Sequence, residues 1–298
     1  MERVKRLIHT DYAYKMGLSG KNVTVAVMDT GVAPHPDLEG RILAFKDFFQ
    51  KREGAYDDNG HGTHISGIIA GNGKMSEGGR YSGVAPRSNL VMLKVLDGGG
   101  NGNTEKMLQG IDWILKNRKA YHIRLLNISV GMLPSAGKRE QQDLLAAVDE
   151  LWNQGVMVVA AAGNNGPGEE TVTIPGISRK VLTVGSSDDE ETEKNRRTLL
   201  PGYSGRGPTR CCIIKPEILA PGTGIVSCSR DQKGYTIKSG TSMAAPVAVG
   251  ALALAFERLP DFSPTEMKLR LYERAYPRGE QIGRKCWGMI HADHLVRI

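Results

Sequence analysis

Three short segments contain the residue types that nucleophilic catalysis requires. Asp29 follows an apolar run in MDTG, His61 lies between two glycines in NGHGTH, and Ser242 lies in SGTSMAAP at the start of a long apolar stretch. A serine hydroxyl is a weak nucleophile at neutral pH, and an imidazole that titrates near neutrality can take its proton. A carboxylate can orient that imidazole. Asp29, His61 and Ser242 are therefore candidates for one catalytic constellation.

Each segment, taken alone, also has a simpler structural interpretation. Asp29 could cap a turn or a helix, and Ser242 could cap the helix that follows it. His61 and His64, three positions apart, could bind a metal ion, but no H-E-x-x-H pattern accompanies them. The serine segment lacks the G-x-S-x-G elbow of α/β-hydrolases, and the chain order here is Asp, His, Ser. Only the combination of the three segments indicates a specific function.

The order of these residues, together with their local sequences, resembles the subtilisin-like (subtilase) serine peptidases. The resemblance extends from about residue 20 to residue 255 and includes VMVVAAAGNNGP and LNISVG. The segment KPEILAPG is similar to the version found in bacterial members of the intracellular and AprX-like type. The resemblance implies a serine endopeptidase that acts through an acyl-enzyme.

The same resemblance implies a role for each catalytic residue. Ser242 is expected to attack the peptide carbonyl, with His61 as general base and then general acid, and Asp29 as the group that orients the imidazole. The Asn164 side-chain amide and the Ser242 backbone N–H are expected to donate to the oxyanion. A pseudopeptidase that uses the same cleft for binding or regulation is the alternative, but the intact set of Asp29, His61, Asn164 and Ser242 favours an active enzyme.

The resemblance also indicates where a peptide would bind. One wall of the cleft is expected in KVLDGGGNGN and the other in LNISVG, with unhindered backbone that could pair with an extended substrate. A pocket for the residue before the cleaved bond (P1) is expected between the segments Ser129–Gly131 and Ala161–Gly163, with Asn165 at its rim and Thr173 in place of the glycine that often forms its floor. This predicts a shallow pocket that prefers Leu or Met to Trp at P1. In the competing interpretation, Glu169 or Glu170 reaches the rim of the pocket and attracts Lys or Arg at P1. The expected substrate-binding residues are Gly100, Asn101, Gly102, Ser129, Val130, Gly131, Ala161, Ala162, Gly163, Asn165 and Thr173.

An alternation of short β-branched runs with longer helical patterns predicts the elements that position these residues. This alternation is typical of α/β folds, and the resemblance implies a three-layer sandwich with a mainly parallel central sheet and the site at its carboxyl edge. A polar stretch after Ser186 is predicted to be a surface excursion. Strands are predicted at 23–28, 89–95, 125–128, 157–161, 181–184, 218–220 and 235–238. Helices are predicted at 64–70, 104–117, 141–154, 242–258 and 264–274.

Composition limits the class of protein. The chain has 298 residues, 40% of them hydrophobic, and 39 Lys+Arg against 32 Asp+Glu give a net charge of +7. We expect one peptidase domain over residues 1–298, with no signal peptide or pro-domain evident. No basic helix face indicates nucleic acid, no apolar run could span a membrane, and four cysteines without C-x-x-C spacing favour reduced thiols in a cytoplasm. The expected partner is a peptide or protein substrate, and the sequence leaves the oligomeric state open.

No cofactor is expected for the chemistry, and no metal ligand set is predicted. In secreted relatives, a loop after the histidine helix and an upstream acidic residue hold a calcium ion. Asp37 matches the acidic residue, but the loop here, NGKMSEGGRYS, has glycines and basic residues instead of a recognisable set of oxygen ligands. A structural calcium ion is therefore possible but not supported by the loop sequence.

Overall fold

The fold is known from a computed structural model of the chain. It describes residues 1–131, 138–190, 201–209, 212–231, 234–276 and 286–297. Over these residues, no helix is both long enough and apolar enough to cross a membrane.

The central element is an eight-stranded sheet in which every pair of neighbouring strands is parallel. The strand order is β10-β7-β6-β5-β4-β1-β3-β2, and β8 and β9 form a separate antiparallel hairpin. The strands are β1 Thr24–Asp29, β2 Ile42–Asp47, β3 Asn89–Lys94, β4 Ile123–Ile128, β5 Met157–Ala161, β6 Leu182–Ser186, β7 Ile218–Ala220, β8 Ile225–Cys228, β9 Tyr235–Lys238 and β10 Gly288–Met289.

Helices cover both faces of this sheet. Along β1, Val25 and Val27 pack into the core that contains α3 and α6, whereas Ala26 and Met28 pack into the core that contains α4 and α5. Because both faces are buried, the central strands have continuous apolar sequences instead of alternating ones. The helices are α1 Glu2–Leu7, α2 Asp11–Lys15, α3 His61–Ala70, α4 Thr104–Asn117, α5 Lys138–Asn153, α6 Thr241–Arg258, α7 Pro264–Arg274 and α8 Ala292–Val296.

The predicted three-layer α/β fold with a mainly parallel sheet is confirmed. The seven predicted strands and five predicted helices are present, with boundaries that differ by up to three residues. The sequence analysis missed three strands: β2, which is a half-exposed edge strand without a strong apolar pattern, β8 of the hairpin, and the short β10. Helix α3 begins at His61, three residues earlier than predicted. The prediction placed its start too late because the glycines on either side of His61 obscure the helical pattern.

One local prediction was wrong. The polar stretch after Ser186 does not reach the surface at once, because Ser187, Asp188 and Asp189 are buried. Asp188 accepts hydrogen bonds from the backbone N–H groups of Gly222 and Thr223 and forms an ion pair with Arg3 at 2.7 Å. Buried acids of this kind are tolerated when donors surround them. Residues 191–200, the rest of the predicted excursion, lie outside the described residues.

Candidate active site

Asp29 and His61 meet at the carboxyl end of β1. Asp29 is fully buried at the last position of the strand, and His61 is the first residue of α3. The Nδ1 atom of His61 lies 2.8 Å and 3.0 Å from the two carboxylate oxygens of Asp29. This contact places the imidazole proton on Nδ1 and leaves Nε2 as the available base.

The helix can begin this close to the strand because glycines remove side-chain bulk. A Cβ atom on Gly62 would lie 2.1 Å from the carbonyl oxygen of Gly31, which no real contact permits. Gly60 has a φ of 99°, in the left-handed region that glycine adopts without strain. The G-H-G pattern is therefore required by the backbone geometry that brings His61 to Asp29.

The pKa of His61 is raised overall from its ordinary value. Burial lowers it, but the negative charge of Asp29 and the hydrogen bond to Nδ1 raise it by more. An opposite charge at hydrogen-bond distance favours the charged form of an imidazole. Asp29 therefore stabilises an imidazolium at this position.

Asp57 holds the turn that leads into His61, and the sequence analysis missed it. One carboxylate oxygen accepts from the Thr30 hydroxyl and the Gly60 N–H, and the other accepts from the N–H and hydroxyl of Thr63. Burial raises the pKa of Asp57, but these hydrogen bonds more than offset that effect, and the net pKa is lowered. An aspartate two residues before Asn59-Gly60 is the available signal, because Asx side chains commonly hold such turns.

Lys94 was also missed. Its ammonium is 1% exposed and donates to the carbonyls of Thr30 and Leu96 at 2.6 Å and 2.9 Å and to Asp58 at 2.7 Å. These bonds connect the end of β1 with the segment after β3. The signal in the sequence is a single lysine in an otherwise apolar strand, since lysine is rarely buried unless it is paired.

Ser242 is the second residue of α6, and its hydroxyl donates to a carbonyl and not to His61 in this structure. Its Oγ donates to the carbonyl of Ser129 at 2.8 Å, and Ser129 Oγ donates in return to the Ser242 carbonyl at 3.0 Å. The Ser242 backbone N–H, at the start of a helix, has no intrahelical acceptor. A rotation of the Ser242 side chain is needed before its hydroxyl can donate to an imidazole.

Asn164 is exposed beside the start of α6. Its Oδ1 atom accepts from both the N–H and the hydroxyl of Thr241 at 3.0 Å, and the same hydroxyl accepts from the Gly163 N–H at 3.1 Å. The bonds from Thr241 fix which end of the amide is the oxygen, and the Nδ2 group at the other end is the donor that can serve a ligand.

The two predicted walls of the cleft differ in how they are held. Gly100, Asn101 and Gly102 are exposed, and the loop is closed by Asp97, whose side chain accepts from the N–H groups of Gly99 and Asn101. On the other wall Ser129 is buried, Val130 is half-buried and Gly131 is exposed.

The third predicted segment is mostly internal. Ala161 and Ala162 are buried, and the N–H of Ala162 donates to the carbonyl of Val184. Gly163 is half-buried, and Asn165 is exposed. In this segment, therefore, backbone and not side chains faces the space beside Asn164.

Thr173 lies between two of the predicted pocket glycines. A Cβ on Gly131 would be 2.1 Å from Thr173 Oγ1, and a Cβ on Gly163 would be 2.6 Å from its Cγ2 methyl. The Thr173 N–H donates to the carbonyl of Ala162 at 3.0 Å, which holds the residue in place. Thr173 thus fills the space between the two segments that were predicted to form the P1 pocket.

Three buried side chains with possible metal ligands form a cluster that does not include Asp29, His61 or Ser242. His35, Asp37 and Cys228 are buried, with their ligand atoms within 4.8 Å of one another. The carboxylate of Asp37 already accepts from the Met75 N–H at 2.9 Å and from the Tyr235 hydroxyl at 2.7 Å. Asp37, the residue matched to a calcium ligand, therefore holds the loop formed by residues 72–82 in place.

The sheet, the Asp29–His61 contact at its carboxyl edge and the serine at a helix N-terminus are the features of a serine hydrolase with an Asp, His, Ser order. A profile described as the subtilase family matches residues 20–288. The chain belongs to the subtilase family.

Known proteins agree with this assignment. The chain is 42% identical over 268 residues to serine protease AprX of Bacillus subtilis (strain 168), covering 84% of this chain and 60% of that protein. It is 33% identical over 288 residues to the major intracellular serine protease of the same organism, covering 91% of this chain and 82% of the relative. The crystal structure of a cold-adapted subtilisin-like serine proteinase superposes with a TM-score of 0.75 at 30% identity, covering 92% of this chain and 90% of the other. The chain thus spans about three fifths of the length of AprX.

Proposed function

We propose that the chain is a serine endopeptidase with Ser242 as nucleophile, His61 as general base and acid, and Asp29 as the residue that orients the imidazole. The observation that carries the proposal is the contact of His61 Nδ1 with Asp29 at 2.8 Å, which leaves Nε2 as the base. Family membership supports it independently.

The reaction would begin with rotation of the Ser242 hydroxyl from the Ser129 carbonyl towards His61. As Oγ attacks the peptide carbonyl, Nε2 takes its proton, and the imidazolium then donates that proton to the leaving amine. Water hydrolyses the acyl-enzyme by the same steps. The buried charge of Asp29 stabilises the imidazolium in both halves of the reaction.

The oxyanion would be held by two donors on either side of the start of α6. The Ser242 N–H has no intrahelical acceptor. Thr241 holds the Asn164 side chain by its oxygen, and the Nδ2 group at the other end of the amide would donate to the oxyanion. Such donors act on charge that develops only in the transition state.

The acyl half of the substrate would lie as an extended strand between the exposed backbone at Gly100–102 and that at residues 129–131. Thr173 makes the P1 pocket shallow, and this supports the predicted preference for Leu or Met. Glu169 and Glu170 are both exposed. A peptide series with Leu, Met, Phe, Trp, Lys and Arg at P1 would decide between the two interpretations.

A binding or regulatory role for the same cleft is a second candidate. The observation that favours it is the Ser242 hydroxyl, which donates to Ser129 instead of to His61. A serine-directed fluorophosphonate separates the two candidates, because only an activated serine is labelled at a useful rate.

The decisive variant is Ser242→Ala. It should fold and lose about 10⁶-fold in kcat, a magnitude known for a subtilisin nucleophile and not calculated for this chain. A variant that kept a tenth of the wild-type peptidase activity would refute the mechanism.

The proposal also includes the domain organisation, the cofactor requirement, the substrate class and the location of the chain. The chain acts as one peptidase domain, needs no cofactor for its chemistry, and takes peptides or proteins instead of nucleic acid as substrates. We place it in the cytoplasm, supported by the free thiols of Cys212 and Cys228 and by similarity to a relative named as intracellular.

A further inference from the structure

The β8–β9 hairpin ends in a lysine whose positive charge acts on His61 and lowers the pKa of its imidazole. Lys238 ends β9, four residues before Ser242, and pairs with Ile225 across the hairpin. His64 Nε2 lies 3.1 Å from the carbonyl of Ile225 and 3.2 Å from that of Thr236. These contacts fix the end of the hairpin against the first turn of α3, which begins with His61.

Arg230, on the loop between the two hairpin strands, lies across the segment that leads into His61. Its Cβ and Cδ atoms are 3.3 Å from the position that a Cβ on Gly60 would occupy. Its guanidinium is exposed and donates to the carbonyl of Asp58. The hairpin therefore places one positive side chain, Arg230, against the segment that leads into His61 and a second, Lys238, close enough for its charge to act on the imidazole.

The charge of Lys238 is not neutralised by a direct partner. Its side chain is half-buried, and within the described ranges it has neither a hydrogen bond nor an ion pair. The acidic groups nearest to His61 are committed elsewhere, Asp29 to the imidazole and Asp57 to the turn before it. Lys238 is also close enough to depress the pKa of His64, after the larger effect of burial.

The chemistry defines which part of a peptide would meet these charges. His61 Nε2 must reach the nitrogen of the leaving amine in order to protonate it. The acyl half lies between the walls at residues 100–102 and 129–131, so the residues after the cleaved bond pass on the side of His61 that β9 borders. A side chain at the first or second of these positions (P1′ or P2′) would then be the part of the peptide that approaches Lys238.

We propose that Lys238, assisted by Arg230, forms a basic subsite for the leaving-group half of the peptide and favours substrates with Asp or Glu at P1′ or P2′. This inference rests on the proposed peptidase function. The P1 pocket carries no fixed charge of its own. The basic subsite would therefore be the part of the cleft that selects substrates by charge.

The test uses internally quenched peptides with one acyl half ending in Leu and with Glu, Gln or Lys at P1′ or P2′. At low salt, kcat/KM should be about fivefold higher with Glu than with Gln and lower again with Lys, and the differences should shrink in 0.5 M NaCl. Rates are compared on the alkaline plateau of the pH profile, so that a change in the His61 pKa does not enter.

Charge variants assign the effect to this site. Lys238→Gln should bring the Glu-to-Lys ratio close to one, and Lys238→Glu should invert it. Lys21→Gln removes the same charge from an exposed turn and should leave the ratio unchanged. A wild-type ratio near one, or a ratio that Lys238→Gln does not alter, would overturn the proposal.

A second measurement needs no variant. The acyl-enzyme formed from a Leu ester can be partitioned between water and added Glu-amide or Lys-amide, and Glu-amide should capture it more efficiently. Equal capture would refute the subsite while leaving the peptidase function intact. Failure of the ester to react at all, together with no fluorophosphonate labelling, would refute the proposed function instead.

Discussion

The Asn164 amide oxygen accepts two hydrogen bonds from Thr241, one from its N–H and one from its hydroxyl, both at 3.0 Å. Its oxygen thus anchors the loop to the first residue of α6. In the proposed mechanism its nitrogen would serve a second and separable function, as a donor to the oxyanion.

Asn164→Asp should separate these functions, because the carboxylate keeps the acceptor for Thr241 but loses the donor. We expect kcat to fall by at least about 10²-fold with little change in melting temperature; losses of 10²–10³-fold are known for this position in a subtilisin. Asn164→Ala should lose both kcat and some stability. Asn153→Ala, at the exposed last position of α5, is the control. An effect on KM alone would make Asn164 a substrate-binding residue.

Thr173 should limit the size of the P1 side chain, because its methyl group and hydroxyl lie between Gly131 and Gly163. Wild-type kcat/KM should be higher for Leu and Met than for Trp, with graded differences of about 10-fold. Thr173→Gly should raise the rate for Phe and Trp relative to Leu, and Thr173→Ser should give an intermediate result. If Trp remains as poor a substrate for Thr173→Gly as for the wild type, the pocket has been misplaced.

Removal of calcium should have little effect on stability. Both carboxylate oxygens of Asp37 already accept hydrogen bonds, from Met75 and Tyr235. In a Ser242→Ala background that prevents autolysis, EDTA should shift the melting temperature by less than about 2 °C. Asp37→Asn should cost about 1–3 kcal/mol in EDTA and in calcium alike, because it disturbs these bonds. A large loss in EDTA that calcium restores would reveal an ion site.

His64 should make the fold sensitive to acid. Burial, followed by the charge of Lys238, lowers the pKa of His64 to about 3, whereas in the unfolded chain it is about 6.5. Between these pH values the unfolded chain gains a proton that the folded chain does not. Stability is therefore fully present above about pH 6.5 and is lost as the pH falls towards 3, by at most about 3–5 kcal/mol.

Urea unfolding of the Ser242→Ala chain at pH 7.5 and pH 5 would measure this effect. His64→Gln should lower stability at pH 7.5 but reduce the difference between the two pH values. His122→Gln, at an exposed position, should leave that difference unchanged. Burial also lowers the pKa of His291, to about 4, so a smaller difference should remain in His64→Gln. An unaltered difference in His64→Gln would contradict this account.

The fold class and most elements were predictable because they depend on local pattern. Strands β1 and β5, buried on both faces, are continuous apolar runs, and α4 has a clear amphipathic repeat. Strand β2 was missed because an edge strand is half-exposed and needs no such pattern. The burial of Asp188 could not be predicted, because its donors lie 34 and 35 residues away in the chain.

The sequence by itself determined which residues could do chemistry. Asp29, His61, Asn164 and Ser242 each lie in a short motif whose glycines and small residues are local requirements of a turn or a helix start. Their family resemblance could therefore be identified without coordinates.

Only the tertiary structure decided how those residues are connected. Ser242 donates to Ser129, 113 positions away, and Thr173 fills the space beside Gly131. His64 of α3 bonds the backbone of Ile225 and Thr236, and this holds the hairpin that carries Lys238 against α3. Such contacts join segments that are distant in the chain, and they depend on how helices and strands pack and not on the local preferences that a sequence pattern reveals.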